Sequence, residues 1–142
     1  MDIARAVEAL AASDDHRVLT RIPPVADWPL SPSAGGELRR ALFVDVETTG
    51  LEEKDEVIEL ALLPFDYERD SGAVVRVRAG EAYTSLRAPS FPIPPESTRV
   101  HGITQTDVEG HEPDAAKIEA LVGKAHLVIA HNAGFDRPML EK

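Results

Sequence analysis

Apolar residues recur along this chain in two rhythms, and the change from one to the other divides it. At the N-terminus Ile3, Ala6, Val7 and Leu10 follow helical spacing behind Asp2, which predicts a short amphipathic helix capped by Asp2 and ending near residues 13–15. A brief apolar patch at Val18, Leu19 and Ile22 follows. Residues 23–36 then hold four prolines and two glycines in fourteen positions, the composition of a tether, and Trp28 within it is expected to anchor it to the domain surface.

From Ala41 the pattern becomes that of buried strands. Ala41 to Val46 is a compact apolar run broken only by Asp45, and Glu56 to Phe65 is a second. Asp70-Ser71-Gly72 marks a turn, and Val74 to Leu86 is β-rich with Gly80 as an expected bulge, so these segments predict an antiparallel meander. Four prolines between Ala88 and Pro95 exclude a central strand and predict an extended loop. Thr104 to Asp107 has the form of a capping box opening a short helix that ends at Gly110. Pro113 fits the first position of a further helix with Ala115, Ile118, Leu121 and Val122 on one face, closed by Gly123. Ala125 to Ala130 predicts another buried strand, and a last helix begins at Phe135 and runs to the end of the chain. Strands first, then helices and a further strand, give a mixed α/β class. The expected divisions are a helical segment over 1–22, a Pro/Gly-rich linker over 23–38 and a folded domain over 39–142.

Composition narrows the chemistry. A chain of 142 residues with 43% hydrophobic and 28% charged positions can bury one core, and it contains no apolar run of membrane-spanning length, so a cytoplasmic protein without membrane attachment is expected. The absence of cysteine excludes disulfides, thiolate zinc sites and cysteine nucleophiles, leaving oxygen or imidazole to hold any metal. With 25 acidic against 15 basic residues the net charge is -10, which repels phosphate at long range. A nucleic-acid partner would need bound cations or a local basic rim.

Asp45 and Glu47 stand at i and i+2 of a predicted strand, so both carboxylates share a face. Two acids so placed repel unless a cation lies between them, and oxygen donors suit Mg²⁺ or Mn²⁺. A turn-capping Asp45 beside a solvated Glu47 satisfies the same spacing. His131 to Asp136, taken alone, is a capped strand-to-helix junction with Asp136 in the first helical turn.

The sequences Asp45-Val46-Glu47-Thr48-Thr49-Gly50-Leu51, Val100-His101-Gly102-Ile103-Thr104 and His131-Asn132-Ala133-Gly134-Phe135-Asp136, in that order, closely resemble the DnaQ-like 3′→5′ exonucleases. These are the His-type branch of the DEDD superfamily, which includes the proofreading epsilon subunit of bacterial DNA polymerase III. The resemblance covers Ala41 to Lys142. It implies a ribonuclease H-like mixed sheet flanked by helices, and release of 5′-mononucleotides from 3′ ends of single-stranded DNA or RNA with two Mg²⁺ or Mn²⁺ ions. Asp45, Glu47 and Asp136 are then the catalytic metal ligands, and Thr48, Thr49, Gly50, Leu51, His101 and Thr104 line the terminal nucleotide. Asn132 is expected to order its turn.

The family's third motif, a histidine general base followed five residues later by an aspartate, has no counterpart in the sequence. The general base is therefore expected beyond Lys142, in a longer protein of which this chain is an inactive, C-terminally incomplete piece with exposed apolar surface. A non-catalytic nucleic-acid or partner-binding domain that keeps the fold is the alternative. The N-terminal helix is expected either to dock on a polymerase or other replication partner or to fold back on its own domain.

Overall fold

Alternation of side chains sets the architecture. In a computed structural model, which describes residues 2–15, 17–19, 21, 24 and 30–142, the long strand β1 (Leu38–Thr48) pairs antiparallel with β2 (Val57–Glu68). The free edge of β2 is shared by β3 (Val74–Val77), opposite Phe65 to Tyr67, and β4 (Tyr83–Leu86), opposite Glu59 to Leu62. On the other side of β1 lies β5 (Leu127–Ile129), parallel to it with Phe43 opposite Ile129. The result is a five-stranded mixed sheet in the order β3-β2-β1-β5, with β4 beside β2. This is the mixed α/β class expected.

One sheet face buries Leu42, Val44, Val46, Leu60 and Leu62 against Ile118 and Leu121 of α4 (Ala115–Val122) and Phe135 of α5 (Ala133–Leu140). Each such side chain contributes about 1.5–3 kcal/mol by leaving water. A second cluster joins Ile58, Ile93 and Val108, covered by Leu86 and Ile103, and fixes the proline-rich loop and the short helices α2 (Pro95–His101) and α3 (Gln105–Val108) beneath the end of β2. The other sheet face carries Phe43 stacked on Phe65, ring centroids 4.7 Å apart.

Asp2 caps α1 (Ile3–Ala11) by accepting from Ala4 N–H, as its sequence predicts. That helix buries none of its residues: Ile3 is 79% exposed. Trp28 and Ile22 lie outside the described residues. The later part of the predicted linker is tied down, because Ser31 N–H donates to Val74 C=O and the Glu68 carboxylate accepts from Ser33 Oγ and from the N–H groups of Ala34 and Gly36.

Several local expectations are corrected. Gly80 sits in a single 3₁₀ turn, Ala79–Glu81, between β3 and β4 and not in a bulge. Pro95 ends the extended loop by opening α2, where its missing N–H costs no hydrogen bond. Pro113 lies outside α4, whose N-cap is Asp114, the carboxylate accepting from Lys117 N–H. The last helix closes at Leu140, with Glu141 N–H bonded to Arg137 C=O.

Candidate active site

The ladder between β1 and β2 shifts register between Glu47 and Thr48, ending regular pairing where the chain must turn. Asp45 faces Ala61 and Glu47 faces Glu59 across the two strands, so Asp45, Glu47 and Glu59 emerge on one sheet face. Asp45 is exposed and Glu47 half-buried. Burial, the largest influence, holds the Glu47 carboxyl above the ordinary carboxylate range; Asp45 and Glu59 add to the rise, and His101 opposes it. Asp45 also lines an open cleft of about 540 Å³ together with Phe43, Ala61, Thr84 and His131.

The turn after β1 is built by Asp55. Its carboxylate accepts from Thr49 Oγ1 at 2.9 Å and from Glu52 N–H at 2.8 Å, while Thr49 Oγ1 accepts in turn from Glu56 N–H. Thr48 Oγ1 donates to Gly50 C=O at 2.6 Å, and Ser97 Oγ of α2 donates to Thr49 C=O at 2.6 Å. Asp55 is 6% exposed and was not among the residues singled out in the sequence. No local signal marks it, since it is one of several acids in the turn before β2. The hydroxyls of both threonines are thus committed to the loop, leaving backbone groups and Leu51, which is 83% exposed, to face a ligand.

Gly102 closes α2 in the left-handed region, φ 81°, and places His101 beside the loop. His101 Nδ1 accepts from Ile103 N–H at 3.0 Å, so the ring proton of the neutral imidazole is on Nε2. Nε2 is buried and, among the described residues, without a hydrogen-bond partner. Thr104 forms the capping box its sequence predicts: its hydroxyl and N–H both donate to the Asp107 carboxylate, at 2.6 and 2.8 Å, so that hydroxyl is engaged away from a ligand.

Asn132 is the N-cap residue of α5, accepting at its carbonyl from Phe135 and Asp136 N–H. Asp136 is 5% exposed, its carboxylate accepting from Asn132 N–H at 3.2 Å. It lines a cavity of about 430 Å³ with Leu42, Val44 and Leu60, the positions of β1 and β2 alternating with Asp45, Glu47 and Glu59. Among the described residues no three of His, Asp and Glu lie close enough to share a metal ion. Asp45 and Glu47 fit a divalent cation by donor type and by unneutralised like charge. Asp136 is not brought to them.

The order and spacing of these residues match a known family: residues 42–142 fit the RNase_T exonuclease family. The chain belongs to this exonuclease family. The DnaQ-like resemblance carried by the three sequence motifs is thereby borne out. This exonuclease-family chain is 37% identical over 103 residues to a DNA polymerase III subunit epsilon-like protein of Rhodobacter capsulatus, a match spanning 69% of this chain and 14% of that protein. It is 29% identical over 102 residues to the uncharacterized exonuclease CP81 of Escherichia phage 186, across 70% of this chain and 46% of that one. The exonuclease-family chain therefore spans less than half the length of either relative. Among solved structures, E. coli exonuclease I in complex with a 5cy-dA13 oligonucleotide shares the fold, with a TM-score of 0.56, 21% identity and coverage of 71% of this chain and 22% of that one. Family and fold together support a nuclease. Among the described residues no helix is long and apolar enough to cross a membrane.

Proposed function

We propose that this domain belongs to a metal-dependent 3′→5′ exonuclease that removes 5′-mononucleotides from DNA or RNA ends. The observation that carries the reading is the pairing of Asp45 and Glu47 on one sheet face, with Glu47 held above its ordinary range by burial and by like charge. Such a pair is costly without a cation between its members. Asp45 and Glu47 would hold Mg²⁺ or Mn²⁺, and Asp136, which lines a separate cavity here, would complete the set only by shifting toward them. When bound, two such ions supply charge neutralisation for the attacking and leaving oxygens of phosphodiester hydrolysis.

The chain's own groups do the positioning. Leu51 offers an exposed apolar side chain on which a terminal base can rest, and the Asp55-braced loop fixes its direction. The Nε2–H of His101 supplies a donor with no acceptor among the described residues. In this reading residues 39–142 carry the exonuclease fold and the residues of its first two motifs, with the helix and linker preceding them as an accessory segment, and a DNA polymerase assembly is the class of partner suggested by the epsilon-like relative.

A polarity assay tests the reading. Oligonucleotide labelled at its 5′ end should shorten progressively with Mn²⁺ in the full-length protein, while 3′-end label should be released at once as mononucleotide. Release of internal fragments, or shortening from the 5′ end, would overturn it. A second reading is favoured by one observation, the separation of Asp136 from Asp45 and Glu47. It is a domain that binds nucleic acid without hydrolysis, and it predicts binding with no product under either label.

A further inference from the structure

The chain is strongly acidic, yet one end of its sheet is not. Arg40 on β1, Asp66 on β2 and Arg76 on β3 lie in one row by strand register. Neighbouring strands are about 4.8 Å apart, so the two arginines flank Asp66 across about 10 Å. Arg78 adds a third guanidinium, donating through Nε to both Asp66 oxygens at 2.9 Å. The loop after α4 brings Lys124 and His126 to the same groove, where His126 N–H bonds Arg40 C=O, and Arg39 completes its wall.

The acids present do not account for the cations. Asp66 is satisfied by Arg78 and by Arg40 at 3.5 Å, and Glu81 takes second contacts from Arg78 at 2.6 Å and Arg40 at 3.3 Å. Arg39 is paired with Glu37. Arg76 is left at 4.0 Å from Asp66 with its side chain 63% exposed, and Lys124 makes no ion pair among the described residues. Arg76, engaged only at 4.0 Å, and Lys124, whose charge acts on Glu81 without a direct ion pair among the described residues, sit beside a guanidinium-rich groove and give a local positive field on a molecule of net charge -10.

We propose that this groove binds the phosphate backbone of the nucleic-acid strand at a distance from its processed end, an inference that rests on the nuclease reading above. Arg40 is seven residues from Glu47 along β1, about 24 Å in an extended strand, and projects from the opposite sheet face, so a strand engaging both places must pass around an edge of the sheet. Contact there reaches phosphates several nucleotides from the terminus, so it acts on long strands and not on short ones. Guanidinium groups suit phosphate oxygens, and the row of arginines holds the polyanion where the acidic remainder of the surface would repel it. An acidic polypeptide is the other polyanion the groove could take.

The test compares the full chain with Arg76→Gln/Lys124→Gln and with Arg5→Gln/Lys117→Gln, which removes equal charge elsewhere. Binding of 5-mer and 20-mer oligothymidylate, and of poly-glutamate, is followed by fluorescence anisotropy in EDTA at several salt concentrations. The expected result is tighter binding of the 20-mer than the 5-mer, with the length advantage lost and the salt slope reduced by about 1.4 only in the first variant. Retention of the length advantage in that variant, with the oligonucleotides still bound, overturns the groove proposal and leaves the nuclease reading standing. Equal loss in the control variant overturns it as well, by assigning the effect to net charge. Binding of poly-glutamate but of no oligonucleotide, dependent on Arg76 and Lys124, overturns the groove proposal and identifies an acidic protein partner, while the metal-dependent nuclease reading is decided separately by the polarity assay with Mn²⁺.

Discussion

Gly50 and Asp55 are packed so closely that a β-carbon on residue 50 would lie 2.4 Å from Asp55 Oδ2. The Asp55 carboxylate cannot simply swing aside, since it is buried and bonded to Thr49 Oγ1 and Glu52 N–H. Glycine is required at 50 by this approach. Gly50→Ala should destabilise the domain by about 1–3 kcal/mol, as overpacking does. In an Asp55→Ala background the same substitution should cost much less, and a double-mutant cycle by urea denaturation measures the coupling. Additive losses would show that the two positions do not share this contact.

Glu47 carries the opposite kind of strain. Its folded pKa is raised, so its contribution to stability is present below the unfolded value and is lost as pH rises through the folded one. Glu47→Gln should therefore raise stability at pH 7 by about 0.5 kcal/mol, a Tm gain of about 1–3 °C, and this gain should vanish below the ordinary carboxylate range. Thermal denaturation at pH 7 and pH 3.5 checks the sign. A lower Tm for Glu47→Gln at pH 7 would contradict it.

Asp66 behaves in the reverse sense. Burial pushes its carboxyl upward, but the Arg78 hydrogen bonds and the charges of Arg78 and Arg40 outweigh that effect and hold it below its usual value. Its stabilisation is present above the unfolded pKa, near 3.9, and is lost as pH falls through the folded one. Asp66→Asn should cost roughly 1.5–3 kcal/mol at pH 7, because charged hydrogen bonds are lost, and the difference from wild type should shrink below pH 4.

The N-terminal segment divides by contact. Removing residues 2–15 should leave Tm within about 1 °C, because α1 buries none of its residues. Extending the deletion through residue 36 also removes the bonds from Ser33, Ala34 and Gly36 to Glu68, which is 5% exposed. That longer truncation should cost about 2 kcal/mol. Equal Tm values for the two truncations would show that the Glu68 contacts contribute nothing.

The strands and the capping box were legible in the sequence because they depend on local signals. Compact apolar runs bounded by polar and turn residues marked β1 and β2, and Thr104 with Asp107 marked the N-terminus of α3. The family was legible too, since its first motif is a contiguous run on β1 and the turn that follows. Asp55 was not legible: its role arises from folding the loop back onto Gly50, and nothing at its own position distinguishes it from other acids before a strand. Pro113 misled because proline suits the first helical turn, but Asp114 supplies the side-chain acceptor that fixes the start. The basic groove was invisible for a similar reason, as Arg40, the Arg76 and Arg78 pair, and Lys124 belong to three different segments and meet only through strand register and the loop after α4.

The central claim is that Asp45 and Glu47 together hold a divalent cation, and Mn²⁺ binding measured by electron paramagnetic resonance tests it without requiring turnover. Wild-type chain should bind Mn²⁺ and gain thermal stability from it, while Asp45→Asn and Glu47→Gln, each folded, should lose both effects. Mn²⁺ binding of unchanged affinity and stoichiometry in both variants would contradict the account.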